Sequence, residues 1–140
     1  MPDFAPYVSD ARTWAVRSEL YADILARENS VLLLARLDDE PVGYCLAYPQ
    51  STAERAWADD TWQVEGPIVE IESLGVAPEH RGHGIGTTLL RQTLESFATV
   101  PETRFVIGAV AGNRSAIKLY QKFGFRPTWT YLTTFGGSTP

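Results

Sequence analysis

The sequence predicts an α/β chain, or a mixed α+β one, in which helices flank a central sheet. Three observations carry this. Segments of helical periodicity alternate along the chain with short apolar runs of strand length. Two of those runs, "VLLLARL" and "PVGYCLAY", are separated only by "DDE" and read as a hairpin. A third run leads into "HRGHGIGTTLL", where Gly82, Gly84 and Gly86 open a helix, although glycine costs up to about 1 kcal/mol per helical position relative to alanine.

Taken in order, residues 9–28 read as a helix, with Trp14, Tyr21, Ile24 and Leu25, joined by Val16 and Leu20, near one broad face. Ser9 or Asp10 would cap its start. The hairpin strands follow at 31–37 and 41–48. Residues 49–67 are a connection, in part helical at "STAERAWA", bounded by Pro49, Gly66 and Pro67. A connection this long in a compact domain is more often functional or mobile than idle. Residues 68–76, "IVEIESLGV", form the next strand, followed by the glycine stretch and an amphipathic helix carrying Leu89, Leu90, Leu94 and Phe97. "RFVIGAVA" (104–111) reads as a buried strand. "NRSAIKLYQKFG" (113–124) is a helix with Asn113 as N-cap and Gly124 as its stop. "TWTYLTTF" (128–135) closes the domain as a strand.

Composition narrows the partners. A chain of 140 residues, 44% hydrophobic and 21% charged, fits one globular domain, 1–140. Its net charge of −5, with no basic block, argues against nucleic acid. No run approaches the roughly 20 apolar residues of a membrane span, and "MPDFAPYVSD" lacks a signal pattern, so the expected location is the cytoplasm. The single cysteine, Cys45, excludes an internal disulfide and reads as a small buried apolar residue. His80 and His83 have no third ligand at metal spacing, and no metal is expected.

The glycine stretch joins a strand to a helix, where bare backbone and the N–H groups of a first helical turn favour an anion. Arg81 adds a donor suited to phosphate. The spacing fits neither the nucleotide P-loop nor the dinucleotide fingerprint. Instead, "RGHGIG" after "ESLGVAPEH" resembles the acetyl-CoA pyrophosphate loop of the GNAT N-acetyltransferases, [QR]-x-x-G-x-[GA], with Arg81, Gly84 and Gly86 in place. "GNRSAIKLYQKFGF" is similar to the second motif of that family, an asparagine-started helix with a tyrosine and a following G-F. The resemblance covers roughly residues 31–135. The family's usual first strand is hard to find before Ser9, so an atypical or absent N-terminal strand is expected.

The resemblance implies a GNAT-like twisted sheet with two splayed parallel strands, here 68–76 and 104–111. It implies acetyl-CoA as co-substrate, with its pyrophosphate wrapped by the backbone of Arg81, Gly82, His83, Gly84, Ile85, Gly86 and Thr87. The pantetheine amides would pair with Leu74, Gly75 and Val76 as an added strand. Asn113 would bond that arm, cap its helix, or both. The implied reaction is attack of a primary amine on the thioester, the acceptor being a small molecule or a peptide N-terminus.

Only about one part in 10³ of an alkylamine is neutral at pH 7, so a base is useful. Glu70 and Glu72 lie on the strand entering the loop, and strict alternation places them on one face. Glu72, nearer the strand's carboxyl end, is the preferred base. Glu70 is the second candidate, and a solvent-facing or cation-binding role for both is the plain alternative. Tyr120 matches the tyrosine that assists the departing thiolate; its register with Ile117 and Phe123 fits core packing as well. Trp57, Asp59, Asp60 and Trp62 in the 49–67 connection offer aromatic faces and carboxylates to a cationic acceptor. A non-catalytic acyl-CoA-binding regulatory module of the same fold is the rival reading. For oligomeric state a homodimer is the default expectation.

Overall fold

The computed structural model describes residues 5–137. It contains, in order, α1 (Asp10–Leu25), β1 (Val31–Leu37), β2 (Glu40–Pro49), α2 (Ala56–Asp59), β3 (Ile68–Val76), a 3-10 turn (Pro78–His80), α3 (Ile85–Ser96), β4 (Arg104–Ile107) and α4 (Arg114–Lys122). The chain divides into two compact units. Glu19–Gly108 holds the whole sheet. Of the described residues, 5–18 and 109–137 form the other unit, with α4 and the start of α1.

The four strands run in the order β1-β2-β3-β4, antiparallel except for the parallel pair β3 and β4. Asp38 and Asp39, both at positive φ, make the two-residue turn of the expected hairpin. One face of the sheet packs on α1, where Ile24, Leu46 and Tyr48 are buried and Tyr21 lies against them. The other face packs on α3. Leu89, Leu90 and Thr93 are its buried residues, Thr93 Oγ1 donating to Leu89 O at 2.8 Å, and burial raises the pKa of the free Cys45 thiol. α3 approaches closely because β2 carries Gly43. A Cβ there would meet Gly75 O at 3.0 Å and the Leu89 and Ile85 side chains at 3.1 and 3.2 Å.

Three sequence expectations change. The strand expected at 104–111 ends at Ile107. Residues 128–135, expected as a strand, have no ladder partner among the described residues, and Tyr131, Leu132 and Phe135 are more than four-fifths exposed. Alternation shows what a strand would bury, and without a neighbouring edge the backbone has nothing to pair with. In α1 only Ile24 is buried, whereas Trp14, Val16, Leu20 and Leu25 are exposed. Ser9, not Asp10, caps that helix by accepting from Arg12 N at 3.2 Å. The expectation of an atypical or absent N-terminal strand bears partly on residues 1–4, outside the described residues.

Candidate active site

β3 is paired differently along its length. Ile68–Ile71 bonds to β2 on one side and to β4 on the other, and three of those four residues are buried. Beyond Ile71, β4 ends, while β3 runs on to Val76 with β2 as its only strand neighbour among the described residues. Leu74, Gly75 and Val76, expected to pair with a pantetheine arm, therefore lie on a one-sided stretch of sheet. Such an edge is suited to accepting an extended ligand by main-chain hydrogen bonds.

The pairing also corrects the assumption of strict alternation. Leu46 faces Ser73 and Ala47 faces Ile71, so Glu72 is the extra residue of a β-bulge. Glu70 pairs with Tyr48 and Ser73 with Leu46, two residues apart on β2, so Glu70 and Ser73 share a face. The bulge falls at the residue where β3 loses β4. The charge of Glu72 is nonetheless among those raising the Tyr48 pKa.

The glycine stretch follows β3 directly. Gly82 and Gly84 both adopt positive φ, 82° and 80°, which L-residues with a side chain rarely tolerate. A Cβ at either would meet nothing within 4 Å, so conformation, not crowding, requires glycine here. Gly84 is the N-cap of α3 and offers no side chain to its first turn. The N–H groups of Ile85, Gly86 and Thr87 precede the first bond within the helix, Thr88 N to Gly84 O at 3.0 Å. Gly86 thus lies inside the first turn and not before it. Arg81 is exposed, and its Nε donates to Val76 O at 3.2 Å, tying the loop to the end of β3. His83 Nδ1 lies 3.1 Å from His80 O, within the same loop. An uncapped helix start, left-handed glycines and an adjacent arginine fit a pyrophosphate.

The carboxylates of β3 sit in a hydrogen-bonded group that the sequence did not reveal. Tyr48 Oη and Gln50 Nε2 both donate to Glu70 Oε1 at 2.9 Å. Trp57 Nε1 donates to Gln50 Oε1 at 3.1 Å. The Arg27 guanidinium lies 4.6 Å from the centre of the Tyr48 ring and pairs in bidentate fashion with Glu54, at 2.6 and 2.7 Å. That pair, with Ser51 N–H donating to Glu54 at 2.8 Å, holds the Glu54 pKa down to about 2. Burial raises the Tyr48 pKa, and the bond to Glu70 and the charges of Glu70, Glu72 and Glu54 raise it further, so its hydroxyl stays a donor. Tyr48 was legible only as a strand residue and Gln50 only as part of the 49–67 connection. What marks them is that β2 lies against β3 in a register setting Tyr48 opposite Glu70, and register across a 19-residue connection is not written locally.

The other expected residues are placed as follows. Trp57 and Trp62 stack edge to face with centroids 6.1 Å apart. Asp59 is paired with Arg55 at 2.8 Å, and Asp60 is exposed, accepting from Thr61 Oγ1 at 2.7 Å. In the other unit, Asn113 Oδ1 caps α4 by accepting from Ala116 N at 3.3 Å. Tyr120 is half-buried on α4, edge to face with Phe125 at 6.1 Å. No group of three or more possible metal ligands occurs among the described residues, and no described helix is long and apolar enough to cross a membrane.

Residues 2–125 match the acetyltransferase (GNAT) family. The chain belongs to that family. A relative, the aminoglycoside N(6')-acetyltransferase type 1 of Klebsiella pneumoniae, is 28% identical over 122 residues, which are 86% of this chain and 60% of that protein. A putative ribosomal protein bS18 alanine N-acetyltransferase of Bacillus subtilis is 25% identical over 111 residues, 79% of this chain and 64% of its own length. The chain thus spans somewhat under two thirds of the curated relatives it matches. Among solved structures, Arabidopsis thaliana NAA60 with a bisubstrate analogue superposes at a TM-score of 0.66 and 22% identity, covering 85% of this chain and 79% of that one. Arabidopsis thaliana Naa50 in complex with the bisubstrate analogue CoA-Ac-MVNAL gives 0.63 at 24% identity, covering 88% and 82%. These likenesses show the fold.

Proposed function

We propose that this GNAT chain moves the acetyl group of acetyl-CoA to a primary amine of a small cationic acceptor, by direct attack on the thioester. The observation that carries the reading is the one-sided half of β3, Glu72–Val76, lying between the glycine loop and the Tyr48–Glu70 group. The loop from Arg81 to Thr87 would hold the pyrophosphate, and Leu74, Gly75 and Val76 the extended arm. The bound thioester supplies the acetyl group. Asn113 already serves its helix as a cap, its Oδ1 accepting from Ala116 N and Ser115 Oγ, and its side-chain amide N–H groups are the donors it would offer the arm.

Glu72 is the proposed base. It takes a proton from the acceptor ammonium, directly or through one water, the neutral nitrogen attacks the carbonyl carbon as the C–S bond breaks, and the nitrogen's second proton passes through water to the departing thiolate, leaving a neutral amide and free thiol. Tyr120 donates a hydrogen bond to the departing sulfur. Full proton transfer from a tyrosine of ordinary pKa near 10 to a thiolate near 8.5 is uphill by about 2 kcal/mol, so stabilisation precedes protonation.

Charge supports a cationic acceptor ahead of a neutral one. Three carboxylates, Glu54, Glu70 and Glu72, act on the Tyr48 hydroxyl, while Arg27 is committed to Glu54. The 28% identity to an aminoglycoside acetyltransferase points the same way and favours a polyamine over a peptide N-terminus. The test is acetyl-CoA-dependent thiol release with sisomicin, spermidine and an alanine-started peptide, with Tyr120→Phe alongside. The expected result is release with the polycations, falling roughly 10²- to 10⁴-fold in the variant. Unchanged turnover in Tyr120→Phe would refute its role, and CoA binding without release would support the non-catalytic rival.

A further inference from the structure

Glu70 is held by more contacts than a surface carboxylate needs. Both of its donors, Tyr48 Oη and Gln50 Nε2, converge on the same oxygen, Oε1. No hydrogen bond reaches Oε2 among the described residues, and no cationic side chain there pairs with Glu70. The two donors are neutral, so they fix the carboxylate in place while leaving its charge intact.

Gln50 is itself fixed at three points. Its backbone N–H donates to Ile68 O at 2.8 Å, anchoring it to the start of β3. Its side-chain carbonyl accepts from the Trp57 indole, which determines which end of the amide faces Glu70. Without that indole the amide is free to present its oxygen, which would repel the carboxylate. Trp57 is placed in turn by α2, where Arg55 bonds Asp59 and reaches Gly66 O at 3.1 Å, and by its edge-to-face contact with Trp62. A continuous path therefore runs from the 49–67 connection through one amide to a carboxylate on the strand that carries Glu72.

We propose that Trp57 and Gln50 are positioning residues that act through Glu70, holding it in one rotamer so that its unbonded oxygen meets a cationic group of the acceptor. The proposal rests on the cationic-acceptor reading above and assigns the connection a specificity role. Its aromatic rings do not stack on the acceptor. They orient the group that does bind it. Selectivity for cationic over neutral acceptors then depends on Trp57 through the bond from its indole N–H to Gln50.

The test is a double-mutant cycle on sisomicin affinity, measured by calorimetry in the presence of CoA so that no turnover is required. Trp57→Phe keeps the ring and removes the N–H donor. Gln50→Leu removes the amide, and Glu70→Gln removes the charge. The expected weakening is roughly 10-fold for Gln50→Leu and roughly 3-fold for Trp57→Phe, with CoA affinity unchanged. Both effects should disappear in the Glu70→Gln background. Effects that persist undiminished in that background would overturn the proposal, as would wild-type protein that does not bind sisomicin.

A second reading keeps folding and function apart. In a ¹⁵N–¹H spectrum of the free protein, Glu70→Gln should move the Trp57 indole resonance, identified by its loss in Trp57→Phe, and Gln50→Leu should move it further. An indole peak unmoved by either would also overturn the path. Binding and spectral coupling without thiol release would instead count against the transfer reading and leave the positioning role standing.

Discussion

The two halves of β3 are made of similar residues and do different work. In "IVEI" (68–71) the backbone is paired on both sides and the apolar side chains are buried, so this half is core. In "ESLGV" (72–76) the pairing is one-sided and every residue is half-buried. The difference arises at one point, where β4 stops and a bulge in β3 absorbs Glu72. A strand that loses a neighbour exposes main-chain donors and acceptors that need a partner. In the core half that partner is protein, and in the other half the proposed partner is a ligand. The same nine residues thus supply core packing at one end and a one-sided edge, the proposed ligand site, at the other.

Single substitutions should separate these roles. The largest effect on turnover is expected at Glu72→Gln, which should lower kcat by roughly 10²- to 10⁴-fold if Glu72 is the base, with thermal stability nearly unchanged. Steady-state kinetics beside a melting curve checks both. One residue earlier, Ile71→Ala should show the reverse. Truncating this 2% exposed side chain costs about 2–5 kcal/mol of stability, read by urea denaturation, with the remaining folded protein turning over normally. If Ile71→Ala lowered kcat of the folded fraction as strongly as Glu72→Gln does, the division of β3 would fail.

Gly84→Ala tests the loop at the end of the open half. The substitution puts a side chain on a residue at φ 80° and adds no clash. The strain of about 1–2 kcal/mol should appear as lost stability or as a roughly 10-fold rise in the KM for acetyl-CoA, with the acceptor KM unchanged. Smallest is the Arg27–Glu54 pair, distant in sequence from β3 but beside Tyr48. Glu54 has its folded pKa lowered to about 2 from an ordinary 4.5. Its contribution is therefore complete above about pH 5 and is lost as pH falls toward 2. The partners are 36% and 30% exposed, so the contribution is at most about 1 kcal/mol. Glu54→Gln should remove that part of the acid dependence of stability, as measured by denaturation at pH 7 and pH 3.

How much was legible depended on whether the deciding interaction was local. The hairpin was, because two aspartates between apolar runs specify a two-residue turn. So was the glycine loop, because positive φ at Gly82 and Gly84 is a property of single residues. The N-cap role of Asn113 was legible for the same reason. The bulge at Glu72 was not, since it is defined only by what β2 offers opposite it. The Trp57–Gln50–Glu70 path was hidden likewise, because it joins residues 20 apart through side chains. Residues 128–135 failed in the opposite sense. Their alternating pattern is that of a strand, and the pairing it calls for is not made among the described residues.

The most direct test of the central claim is a calorimetric titration of the protein with CoA. The account predicts saturable one-to-one binding that Gly84→Ala weakens, accompanied by shifts of the Leu74, Gly75 and Val76 backbone amides in a ¹⁵N–¹H spectrum. Binding that leaves those amides unmoved, or no binding at all, would contradict the claim that the one-sided half of β3 is where the acyl donor pairs.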